Sequence, residues 1–138
     1  MNIEDIKSSF SYFDDWEDKY RFIIDLGKEL PNFATIDKTA ERLVRGCQSQ
    51  VWLISEFDGD NDLIKLRIDS DAHIVRGLIA IVLAVYDRRS PVFITEFNID
   101  GLFEELDLLQ HLSATRGNGL RAMVAKVRSS AQAAADTG

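Results

Sequence analysis

The residue types able to do covalent chemistry converge on one thiol. Cys47 is the single cysteine of the chain and lies in the polar stretch Arg45-Gly46-Cys47-Gln48-Ser49-Gln50, with Arg42 a few residues upstream. Structural thiols usually sit inside apolar runs, where free cysteine behaves as a small hydrophobe. This one is bracketed by a glycine and an amide. Gly46 permits a positive φ and close approach by another molecule, and Arg42 and Arg45 are expected to lower the thiol pKa and enrich the nucleophilic thiolate. On these residues alone two readings stay open, a nucleophile on an accessible loop and a structural thiol. His73 and His111 are the histidines from which a Cys–His pair would have to be drawn. His73 falls in the first turn of an expected helix, where the helix dipole opposes an imidazolium, and neither histidine has recognisable oxyanion donors around it. One thiol excludes an intrachain disulfide and the zinc and iron–sulfur patterns that need two to four thiolates. No metal and no bound cofactor is expected.

The elements that must position Cys47 follow from periodicity and caps. Ile3, Ile6 and Phe10 have helical spacing after Asn2; Asp15 is placed to cap a second helix with the stripe Trp16, Tyr20, Ile23 and Ile24, ended by Gly27 and Pro31. Residues 32–50 lose periodicity, with a helical turn expected near 37–42, and close on the cysteine loop. Residues 51–57 and 63–69 then read as a hairpin around the Asp58-Gly59 turn, with Ile64, Leu66 and Ile68 on the covered face and Lys65, Arg67 and Asp69 on the solvated one. Ser70 or Asp71 is expected to cap the most apolar helix, about 72–86, stopped before Pro91. Residues 91–97 read as a short strand or irregular segment. Asp100 is expected to cap a small helix carrying Leu102, Phe103 and Leu106, and a last amphipathic helix is expected to start after the loop 113–119 and to fray beyond Ser129.

With 16 Lys+Arg against 23 Asp+Glu the net charge is −7 over 138 residues, and the pI near 4.8 argues against a nucleic-acid backbone or an anionic membrane as partner. The longest apolar run, 78–86, is about half of the ~20 residues needed to span a bilayer. The acidic start Met1-Asn2-Ile3-Glu4-Asp5 lacks the basic and apolar regions of a secretory signal, so a cytoplasmic protein is expected. The absence of repeats and composition breaks points to one domain over 1–138.

The stretch Arg45-Gly46-Cys47-Gln48-Ser49-Gln50-Val51-Trp52-Leu53 resembles the cysteine-loop signature of the SufE family of sulfur-acceptor proteins, its Gly-Cys-x-Ser-x-Val-Trp core most sharply. In the same order, Phe13-Asp14-Asp15-Trp16-Glu17-Asp18-Lys19-Tyr20 is similar to the family's first-helix region, Asp69-Ser70-Asp71-Ala72-His73-Ile74-Val75-Arg76-Gly77-Leu78 to its central-helix start, and His111-Leu112-Ser113-Ala114-Thr115-Arg116-Gly117-Asn118-Gly119-Leu120 to its C-terminal motif. The family usually has proline near Ala114. The resemblance implies an α+β fold, a small antiparallel sheet covered by helices, like that of the scaffolds on which clusters are built. It implies that Cys47 takes persulfide sulfur from a pyridoxal-phosphate (PLP) cysteine desulfurase, SufS- or CsdA-like, stimulates that enzyme, and relays the sulfur towards a SufBCD-like cluster scaffold complex, without independent turnover. Arg45, Gly46 and Gln48 would form the loop, and Asp71, Arg116 and Arg42 would support the thiol or the interface. Because an exposed persulfide is readily reduced or oxidised, Cys47 is expected to rest against apolar groups and swing out when the desulfurase docks. The alternatives are an adaptor with a structural Cys47 and, further off, a Cys–His hydrolase.

Overall fold

The computed structural model describes residues 2–137. Two capped helices open the chain, α1 (Ile3–Tyr12) and α2 (Trp16–Lys28). Asn2 Oδ1 accepts the Asp5 N–H at 2.9 Å and Asp15 Oδ1 accepts the Asp18 N–H at 2.8 Å, each satisfying one of the orphan amides of a first helical turn. Two short 3₁₀ turns, Thr35–Asp37 and Ala40–Arg42, lead to the cysteine loop. The strands β1 (Val51–Asp58) and β2 (Leu63–Ser70) pair antiparallel with Val51 opposite Ser70 and Asp58 opposite Leu63. Then follow α3 (His73–Tyr86), α4 (Pro91–Glu96), α5 (Ile99–Glu105), a 3₁₀ turn at Leu109–His111, and α6 (Ala114–Thr137). Among the described residues this is an α+β arrangement, one two-stranded antiparallel sheet covered by helices.

Ile64, Leu66 and Ile68 of β2 are buried while Lys65 and Arg67 are exposed, the alternation of a sheet with one wet face. Asp69 departs from it. Expected on the solvated face, it is 6% exposed, because Lys38 Nζ lies 3.6 Å from Oδ2 and Arg76 Nε 3.2 Å from Oδ1, and a carboxylate can leave water where cations flank it. Helix α3 is the centre of the core: Ile74, Leu78, Ile79, Ile81, Val82, Val85 and Tyr86 are all buried, so apolar residues surround it as a helix enclosed by others requires. It crosses α2 at a glycine contact. A Cβ on Gly27 would lie 2.7 Å from the Gly77 nitrogen, and one on Gly77 would run into the Ile23 carbonyl. Gly27 is therefore a packing residue inside α2 rather than its stop signal; the helix ends at Lys28, with Glu29 as the cap.

Four further expectations are corrected. Residues 91–96 form α4, with Ser90 Oγ accepting the Phe93 N–H at 3.1 Å and Pro91 in the first turn, where its missing N–H costs nothing. Asn98, not Asp100, caps α5 through the Gly101 N–H. Helix α6 begins at Ala114, several residues before the expected start, with Ser113 Oγ accepting the Arg116 N–H at 3.2 Å. It also continues beyond Ser129 to Thr137, with Ala131 and Ala134 buried; small residues pack there without a wide apolar stripe.

Candidate functional site

The cysteine loop, residues 45–50, is tied at both feet. At one, the Val44 N–H donates to the Val51 carbonyl at 2.8 Å and Leu43 bridges Trp52, so the chain enters and leaves beside β1. At the other, Asp71 Oδ1 accepts the Gln50 N–H at 3.1 Å and the Asp71 N–H donates to the Gln50 carbonyl at 3.3 Å. Asp71 thus anchors the loop. It does not cap α3, and neither does Ser70, whose Oγ accepts the Ala72 N–H at 3.2 Å before the helix starts; Ala72 is the cap residue and offers no side-chain bond. Between the two feet Gly46 has φ +94°, a left-handed backbone that glycine adopts without a Cβ penalty, and it turns Cys47 inward.

The thiol lands on the first turns of α6. Cys47 is half-buried and its S–H donates to the Gly119 carbonyl at 3.4 Å. A Cβ at Gly119 would sit 3.5 Å from Sγ, at ordinary van der Waals distance. Around Sγ lies a cleft of about 350 Å³. Its floor is apolar, from Val51, Val75, Leu78, Leu120 and Met123; its rim is polar, from Gln48, Ser49, Ser113, Thr115 and Arg116. On the other side of the loop a second hollow of about 370 Å³ is lined by Ala40, Leu43 to Arg45 and Cys47 to Gln50. The loop thus meets α6 through Cys47 and through Gly46, where a Cβ would lie 3.2 Å from the Ala122 Cβ, with hollows before and behind it.

Burial pushes the Cys47 thiol above the ordinary range, and no neighbouring charge counters the shift. The expected lowering by arginines is corrected, since those side chains have other engagements. Arg42 Nη1 pairs with Asp37 Oδ1 at 3.2 Å. Arg45 is exposed, lines the second hollow, and makes no ion pair among the described residues. Arg116 reaches the cleft rim, but its Nη1 donates to the Tyr20 hydroxyl at 2.9 Å. No Cys–His pair forms either. His73 is exposed at the start of α3, His111 stacks on Trp16 at 4.2 Å between centroids with Nδ1 3.0 Å from the Asp107 carbonyl oxygen, and neither lines the cleft. Among the described residues no three His, Cys, Asp or Glu side chains gather as metal ligands, and no helix is long and apolar enough to cross a membrane.

Sequence reasoning named Arg116 but missed Gly119 as the partner of the thiol, by reading 113–119 as loop rather than as the start of α6. Two glycines, each unfavourable in a helix by about 1 kcal/mol against alanine, hid the start of α6, and the group beside Gly119 is Cys47.

Comparison with known proteins places these features in a wider set. The family model SufE, described as an Fe-S metabolism associated domain, matches residues 4–131. An uncharacterized SufE-like protein of Rhizobium meliloti (strain 1021) is 42% identical over 133 residues, 95% of this chain and 95% of its own length. A second, from Rhizobium etli, is 44% identical over 133 residues, 95% of this chain and 90% of its own. Among solved structures, the solution structure of a hypothetical protein from Thermus thermophilus matches with a TM-score of 0.76 and 15% identity, covering 97% of this chain and 96% of the other. At that identity the likeness is one of fold.

Proposed function

This chain belongs to the SufE family, and from that premise we propose that Cys47 is a sulfur acceptor, taking the terminal sulfur of a persulfide on a PLP-dependent cysteine desulfurase, stimulating that enzyme and passing the sulfur on to a cluster scaffold complex in the cytoplasm. The observation that supports it is the half-buried thiol on a glycine-turned loop with free space on both sides. In the transfer the Cys47 thiolate attacks the outer sulfur of the donor persulfide. A new S–S bond forms on Cys47, the donor's S–S bond breaks, and the donor cysteine leaves as thiolate and regains a proton, with no net oxidation. PLP works on the partner and has no role on this chain.

The burial that raises the thiol pKa fits a gated acceptor. At neutral pH the resting Cys47 is the protonated, weakly nucleophilic thiol; drawing it from the cleft removes the desolvation and returns its pKa towards the ordinary value of about 8.5. Reactivity would then rise only when a partner has displaced the loop. The same S–H···O=C contact to Gly119 favours the second reading, an adaptor that stimulates a desulfurase while Cys47 stays structural. One experiment separates the two: the protein is incubated with a desulfurase, PLP and cysteine, then weighed intact under non-reducing conditions. The carrier reading expects the gain of one sulfur atom, lost in Cys47→Ser together with most of the stimulation. Full stimulation by Cys47→Ser with no sulfur on the wild type would establish the adaptor.

A further inference from the structure

Opposite the cysteine cleft the protein carries a groove of about 580 Å³ between α2 and α3. Each helix contributes a stripe with i, i+3, i+4, i+7 spacing, which places its members on one face. From α2 and its C-cap come Phe22, Asp25, Leu26 and Glu29, and from α3 and its C-cap come Ala80, Leu83, Ala84 and Asp87; Ile6, Leu30 and Pro31 complete the lining. The floor is apolar and every charged residue lining it is a carboxylate. Those carboxylates are not all spoken for. Asp25 is bridged by Lys28 at 3.1 Å from outside the groove, and Asp87 uses Oδ1 to accept the Leu66 N–H at 2.9 Å. Glu29 is exposed and has no cation partner among the described residues.

An apolar floor with a rim of one sign is complementary to an amphipathic segment carrying the opposite sign. We infer that this groove docks a short basic amphipathic peptide segment of a partner protein, its apolar side chains on Phe22, Leu26 and Leu83 and its lysines or arginines on Asp25, Glu29 and Asp87. At about 100° per residue, the α3 positions that line the groove face away from Val75 and Leu78, which line the cysteine cleft. A partner seated here leaves Cys47 free, so docking at the groove and chemistry at the thiol proceed together. The inference stands on the groove alone and is independent of the role proposed for Cys47.

The test uses the full chain labelled with ¹⁵N and a fluorescein-tagged peptide in which lysines flank leucines at helical spacing. Amide shifts on titration are expected in α2 and the second half of α3, with the alkylation rate of Cys47 unchanged in saturating peptide. Glu29→Lys and Leu30→Asn are each expected to weaken binding at least fivefold by anisotropy, while Asp60→Lys in the hairpin turn has no such effect. Equal weakening by Asp60→Lys, or equal displacement by spermidine, would mean that only net charge is read and would overturn the proposal. So would shifts centred on 45–50 and the start of α6, or no binding at all.

Discussion

At Cys47 a single contact set decides the chemistry. Half-burial without a facing cation raises the thiol pKa, so between pH 7 and 8 its thiolate fraction is smaller than that of a free cysteine. Iodoacetamide alkylation is therefore expected to be several-fold slower than that of glutathione at pH 7.5. It is expected to keep climbing with pH after a free thiol, with pKa about 8.5, has levelled off, and to reach the free-thiol rate in urea. A folded-state rate equal to that of glutathione at every pH would show that the thiol is not held in the cleft. Asp71 supplies the companion prediction. Because its carboxylate holds the Gln50 N–H, a bond alanine cannot make, Asp71→Ala is expected to raise the alkylation rate of native Cys47 several-fold at constant pH while far-UV circular dichroism is unchanged. The thiol and its glycine were legible in the sequence; the bearing of the arginines was not. Spacing along a chain places Arg42 and Arg45 near Cys47, but a long side chain is directed by its partners, and Asp37 takes Arg42 while Tyr20 takes Arg116.

Among the elements, those with an Asx cap and a clear stripe could be read directly: Asn2 and Asp15 set the starts of α1 and α2, and alternation in 63–68 set the wet and dry faces of β2. Shorter or glycine-bearing elements could not. Helix α4 is only one to two turns long, too short for periodicity to register, and α6 hides its start behind Gly117 and Gly119. Gly27 of α2 was misread for a related reason, since a residue that serves contact by lacking a side chain, here contact with Gly77 of α3, has no local signature distinct from a stop signal. Gly77→Ala tests that account. Its Cβ would meet backbone at Ile23, which cannot rotate aside, so urea unfolding is expected to show a loss of at least about 2 kcal/mol. A loss near zero would mean that α2 and α3 slide apart freely.

Across the whole molecule, the last turns of α6 belong to the core. Ala131 is fully buried, Ala134 nearly so, and Ala133 and Ala134 face Phe57 and Ile64 across a shallow hollow. Removing residues 130–138 is expected to cost about 1–2 kcal/mol by the loss of this apolar contact and to lower Tm by roughly 3–8 °C, measurable by calorimetry. A terminus that merely frayed would leave Tm unchanged. Composition hid this extension, because alanine contributes little to a hydrophobic stripe yet packs wherever helix and sheet come close.

The two feet of the cysteine loop also set a limit on distance. With residues 44 and 51 pinned to one another and six residues between them, the tip is about three residues from either anchor, and at ~3.5 Å per extended residue it travels at most about 10 Å from its bases. The loop is a short crane, not a long tether. On the proposed reading of Cys47 as sulfur acceptor, the sulfur must be brought to within that radius, so the donor has to come in to this protein's surface rather than wait to be reached, and lengthening the loop by glycine insertion is expected to relax the demand on how closely the two bodies meet.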